Sequence, residues 1–125
     1  MTIAVSTALV QYLQSHNLPI PPPQSGLALV DTGATLCSID EAAVRALGIP
    51  PFGVTSTHTA GGTVQQNTYP ASLSFPGTTL PNIEFADFVG APLAAGGIIA
   101  LIGRSLLQHF VLVYNGPSGS ISLAY

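Results

Sequence analysis

Thirteen glycines and eleven prolines punctuate this 125-residue chain so densely that few stretches could hold a long helix. Proline removes a backbone donor and fixes φ, while glycine releases the chain into turns. The spacing favours many short strands joined by turns, and so a mostly β fold. The length suits one compact domain over residues 1–125, and a hydrophobic content of 47% excludes disorder.

Local patterns divide the chain. Thr2 to Val5 reads as a strand, and Ser6 as the cap of a helix reaching about His16, with Leu9, Val10, Leu13 and Tyr12 to one side as core or interface. Leu18 to Pro23 is proline-rich and extended. Gly26 to Val30 is a continuous apolar run, as a buried strand would be, and it delivers Asp31 at its end. Leu36 to Ile39 is a short strand, and Asp40 then caps a helix over Glu41 to Leu47 that Gly48 stops. Phe52 to Thr59 and Thr63 to Phe75 read as strands around a hairpin tip, Ala60-Gly61-Gly62. Ile83 to Val89 is a strand, Ala91 to Gly97 a loop, Ile98 to Ile102 an apolar strand and Arg104 to His109 a short helix. Strands over Phe110 to Tyr114 and Ser120 to Tyr125 flank a turn at Asn115 to Gly119. Ala28-Leu29-Val30-Asp31 and Ala100-Leu101-Ile102-Gly103 echo one another, each an apolar triplet before a turn. Two such halves predict a small, mostly antiparallel β-domain with a central pair of apolar strands.

Charge narrows the function. Only 6% of residues are charged, against about 25% in an ordinary domain. The cations are Arg45 and Arg104 alone, too few to displace counterions from a nucleic acid or to bind an anionic membrane. Cys37 stands alone, so neither an internal disulfide nor a cysteine-rich zinc site is expected. The first residues lack a basic segment followed by a long apolar run, and Phe88 to Gly103 is interrupted by Pro92 and by Gly90, Gly96 and Gly97. The reading is cytoplasmic, without a membrane segment.

Asp31 is the residue to explain. A carboxylate at the end of an apolar strand is expensive to desolvate unless something pairs with it or uses it. Thr32 offers a hydroxyl, and Gly33 lets its amide approach the carboxylate. One aspartate cannot both activate a water and protonate a leaving amine, whereas two sharing a proton can. Asp40 and Asp87 lack the Thr-Gly context, so a second such carboxylate has to come from a second chain.

Val30-Asp31-Thr32-Gly33-Ala34-Thr35 resembles the active-site motif of the retropepsin-like aspartic proteases. Leu101-Ile102-Gly103-Arg104-Ser105-Leu106-Leu107 resembles their segment near the C-terminus, and Thr59-Ala60-Gly61-Gly62-Thr63 their glycine-rich flap. The resemblance covers about Gly26 to Tyr125. It implies a half-barrel with one or two short helices, functional as a homodimer, with residues 1–25 as an N-terminal extension packing on it and a flap at about 57–69. It implies peptide-bond hydrolysis of a peptide or protein substrate. Asp31 would be catalytic and Thr32, Gly33 and Ala34 its support. Thr59, Ala60, Gly61, Gly62 and Thr63 would bind substrate, and Ile102, Gly103 and Arg104 would be structural near the site. No metal or organic cofactor is implied. The alternative is a catalytically weak or inactive domain of this kind, used for dimerisation or peptide binding.

One departure stands out. The viral enzymes carry an acidic residue after the Ala of the motif, commonly paired with the arginine corresponding to Arg104; here that residue is Thr35. Arg104 then turns to Asp40 or to a backbone carbonyl. The terminal strand from Ser120 to Tyr125 is, by the same resemblance, the segment for pairing between subunits. Cys37 reads as a small buried filler, and His58 as an exposed neighbour of the flap tip whose protonation could tune it. His16 and His109 have no metal-ligand spacing.

Overall fold

A computed structural model describes residues 1–125. The chain runs β1 (Thr2–Ala4), α1 (Thr7–Ser15), β2 (Gln24–Ser25), β3 (Ala28–Val30), β4 (Ser38–Asp40), α2 (Glu41–Ala46), β5 (Gly53–Thr59), β6 (Gly62–Ser74) and β7 (Ile83–Ala91). A 3-10 turn at Ala94–Gly96 leads to β8 (Ala100–Ile102), α3 (Arg104–Leu107), β9 (Val111–Asn115) and β10 (Ser120–Ala124). Eight strands form a curled half-barrel sheet in the order β2-β1-β6-β7-β4-β8-β3, with β5 attached to β6. β9 and β10 form a separate two-stranded hairpin. No helix is long and apolar enough to cross a membrane.

The two echoing triplets become partners. β3 and β8 pair in parallel, residue for residue, as Ala28 with Ala100, Leu29 with Leu101 and Val30 with Ile102. The pair expected at the centre is instead parallel and lies at one end of a largely antiparallel sheet, in which β4 also runs parallel to β7. β3 is not the buried strand that its apolar run suggests. It ends the sheet with one neighbour only, so its side chains alternate and Leu29 is 52% exposed, with Leu27 just before it at 74%.

Pro70 lies inside β6, where it cannot donate to a ladder. The pairing with β7 slips there, from Tyr69 opposite Phe88 to Ala71 opposite Phe85, so that a bulge absorbs the missing donor. On either side, Tyr69, Ala71 and Leu73 point into the core with Ile3, Ile39, Phe88, Ala100 and Ile102, and Val44, Leu47 and Leu106 close it from the helices. Burying a side chain of this size is worth roughly 1.5–3 kcal/mol.

α1 starts as predicted, with Ser6 Oγ accepting from the Leu9 N–H, but none of its residues is fully buried. Leu9 and Val10 rest against the core, while Tyr12 is exposed and stacks on His16. Glu84 of β7 fastens the helix start by accepting from the Thr7 N–H and hydroxyl at 2.7 and 2.6 Å.

Asp40 caps α2 and does more. Its carboxylate, in a residue only 4% exposed, accepts N–H donors from Ala43, Leu93 and Ala94 at 3.2, 2.9 and 3.0 Å. It therefore ties the 91–97 segment, where Ala91 still belongs to β7, to the start of α2. Asp40→Ala removes the acceptor for three backbone donors, and we expect a loss of roughly 3 kcal/mol in chemical denaturation. A loss below about 1 kcal/mol contradicts this account.

Candidate active site

Asp31 follows β3, and its own N–H donates to the carbonyl of Ile102 at 2.9 Å. The next residues fold back on it. The Ala34 N–H donates to the Asp31 carbonyl at 3.2 Å, and the Gly33 N–H donates to carboxylate Oδ1 at 2.9 Å. A charge-assisted bond of this kind fixes the carboxylate's orientation. A Cβ on Gly33 would stand 3.1 Å from that same oxygen, so the smallest residue serves best there.

The segment after β8 holds this turn from behind. The N–H groups of Arg104 and Ser105 donate to the carbonyls of Ala34 and Thr35, each at 2.9 Å. The Arg104 guanidinium reaches the same stretch, with Nη1 donating to the Thr32 carbonyl at 2.8 Å and Nη2 to the Thr35 hydroxyl at 2.9 Å. A planar fork can serve two acceptors at once, which an ammonium does less well. Of the two partners expected for Arg104, the backbone carbonyl is realised and Asp40 is not, because Asp40 is committed to α2 and the 91–97 segment. Thr35, standing where the viral enzymes have an acid, provides a neutral acceptor for the same arginine.

Gly103 is the most tightly enclosed of the glycines. A Cβ at this position would lie 2.3 Å from the Leu36 carbonyl oxygen and 3.0 Å from that of Ala34. Beside it, the buried Cys37 thiol receives the Gly103 N–H at 3.3 Å and the Ser105 hydroxyl at 3.4 Å. Ser105 Oγ in turn accepts from the Cys37 N–H at 3.2 Å. Cys37 is thus a packed, hydrogen-bonded residue. Ser105 is a supporting residue that the motif reading did not single out; its one signal is that it is the polar member between Arg104 and Leu106-Leu107.

A groove of about 550 Å³ opens on one side of the turn. Gly33, Ala34 and Thr35 form one wall, and Ser56 through Thr59 form the other. β5 contributes these consecutive residues because it is an edge strand, bonded to β6 on one side only. Of the hairpin residues expected to bind substrate, Thr59 lines the groove. Ala60 and Gly61 form the turn, and Gly62 and Thr63 lie on the returning strand opposite Thr59 and His58. On the other side of the turn, Thr32 borders a smaller, largely apolar depression with Arg104, Leu107, Gln108 and Leu112. Asp31 immediately precedes Thr32 and Gly33, of which Thr32 borders the depression and Gly33 the groove.

The other carboxylates lie elsewhere, and three of them are engaged there. Asp40 and Glu84 hold the backbone groups described above, Glu41 faces Arg45 at 3.8 Å, and Asp87 lies on β7 opposite the Pro70 bulge. The Asp31 carboxylate accepts only from Gly33.

A family model described as an aspartyl protease matches residues 24–106, from β2 to Leu106 in α3. No curated protein and no solved structure matches the chain. The matched stretch contains both the Asp31 turn and the Gly103 segment that holds it, so the match and the geometry describe one unit: the chain belongs to the retropepsin-like aspartyl proteases.

Proposed function

We propose that this protein is an aspartic endopeptidase whose active site is completed by a second copy of the chain, each copy supplying Asp31. The observation that carries this reading is a single carboxylate, oriented by the Gly33 N–H, at the head of a turn whose Thr32 borders the apolar depression and whose Gly33 borders the groove, with no second carboxylate bonded to it. Brought together across a two-fold axis, two such carboxylates share one proton, because like charges at close range cannot both ionise. The anionic member takes a proton from a bound water, which attacks the peptide carbonyl. The protonated member polarises that carbonyl, and a proton then reaches the leaving nitrogen. Thr32, on the depression side of the turn, hydrogen-bonds across the axis beneath the pair.

The substrate enters as a strand. The free edge of β5 offers unpaired backbone groups along the groove, and an extended peptide satisfies them by adding to that edge. Residues 57–69 act as the flap that closes over it. The partner copy covers apolar surface that one chain leaves exposed. On the hairpin these residues are Val111, Val113, Tyr114, Ile121 and Tyr125. β10 bonds to β9 on one edge only, so its other edge is available to the partner's β10.

Sedimentation and dilution test this together. We expect a dimer, and a specific activity against a diverse peptide library that falls on dilution in step with dissociation. A strict monomer that cleaves sinks the shared site. A confirmed dimer that cleaves nothing at acidic and neutral pH sinks the peptidase.

A further inference from the structure

We propose that His58 selects substrates, favouring peptides that carry an acidic side chain at the position directly across from it on the β5 edge. The inference rests on the peptide-binding reading of the groove and adds to it the class of side chain that the groove prefers.

His58 is the only ionisable side chain among the groove's lining residues; the polar remainder is threonine, serine and Gln66. In β5 it falls on the more exposed face with Val54 and Ser56. Its ring is anchored from the neighbouring strand. Nδ1 lies 3.1 Å from the Thr63 hydroxyl, the residue paired with it across the hairpin, and Nε2 has no partner in the chain. The ring is thus oriented, with one nitrogen left for a ligand.

A peptide strand added to β5 puts one of its side chains opposite His58, with Cβ atoms about 4.5–5.5 Å apart. Next along the same face, two residues away, comes the side chain opposite Ser56. No Asp, Glu, Lys or Arg lines the groove to compete for the contact. Asp31, two residues before Gly33 in sequence, does not line the groove, and its charge is removed in the Asp31→Asn protein used for the test. β6 brings only Thr63 and Val64 to the tip opposite His58 and Thr57, neither of them titratable. A charged imidazole pairs with a carboxylate more strongly than a neutral one, so acid conditions favour the contact.

The test is binding to the Asp31→Asn protein, so that no peptide is consumed. Unlabelled, end-capped peptides without other charged residues, in which a single glutamate is walked from end to end, are compared by calorimetry with twins carrying glutamine. At pH 5 we expect one position at which the glutamate peptide binds tighter by up to about fivefold, the upper end for an opposite-charge cross-strand pair. That ratio falls toward one at pH 8 and in the Asp31→Asn, His58→Gln double variant. A ratio of one at every position, or a preference that survives His58→Gln, overturns the inference. Cleavage of the same peptides by the unsubstituted protein is read separately. Selective binding without cleavage sinks the peptidase and keeps this inference, whereas cleavage without the preference does the reverse.

Discussion

Asp31→Asn is expected to abolish the proposed peptide cleavage, by about 10³–10⁴-fold or more, while leaving the melting temperature nearly unchanged. The two halves of that expectation have separate causes. Asparagine keeps a side-chain oxygen that accepts the Gly33 N–H, so the turn retains its internal bond. What it loses is the ability to take a proton from water, and nothing else bonded at the site replaces it. Mixing sharpens the test. If each site uses one Asp31 from each copy, an equal amount of the variant sequesters active chains in mixed dimers, and the activity of the unsubstituted protein falls to about one half. A chain with a self-sufficient site keeps its full activity in the mixture, and that outcome is incompatible with a shared dyad.

Gly103→Ala is expected to be the most damaging single methyl in the molecule. The added carbon meets the Leu36 carbonyl oxygen at 2.3 Å and its carbon at 2.8 Å. Both belong to backbone, so no rotamer change relieves the contact. Either the 34–37 stretch moves, breaking the bonds that Arg104 and Ser105 make to Ala34 and Thr35, or α3 moves and opens the core around Leu106. We expect a loss of at least about 4 kcal/mol, or roughly 15 °C in thermal unfolding. Activity falls with it. Gly96→Ala, where an added Cβ meets nothing within 4 Å, is the matched control and stays within about 0.5 kcal/mol. A Gly103→Ala protein as stable as that control contradicts the packing described.

What could be read from the sequence was whatever a few neighbouring residues decide. Asp40 ahead of Glu41, with Gly48 behind, writes the α2 start and stop into nine residues. The run around Ala60-Gly61 does the same for the β5–β6 hairpin. The motif at Asp31 and its match at Gly103 also survive without knowledge of the fold. Partnerships across the chain do not. The likeness of the two apolar triplets was visible, but not that they lie side by side in parallel. An apolar run says that a strand is hydrophobic, not how many neighbours cover it, and β3 has only one. The bonds from Asp40 to Leu93 and Ala94 span more than 50 residues, so its second task has no local sign. Arg104 chose Thr32 and Thr35 because α3 starts directly behind them, a fact of placement that composition cannot carry.

The parallel pairing of β3 with β8 also bears on when the site comes into being. Parallel neighbours need a long crossover, and the arginine that clasps the Asp31 turn is 72 residues from Thr32. Closing so long a loop has an entropic cost that must be met before its contacts repay it, which makes such pairing slow. During synthesis the aspartate emerges early, but Gly103, Arg104 and Ser105 follow only after β7. A nascent chain ending before Gly103 carries the motif without the backbone that orients it. On the proposed reading the Asp31 turn is therefore oriented only once the Gly103 to Ser105 segment has been made, and a chain cut short of that segment is expected to be silent rather than partly active.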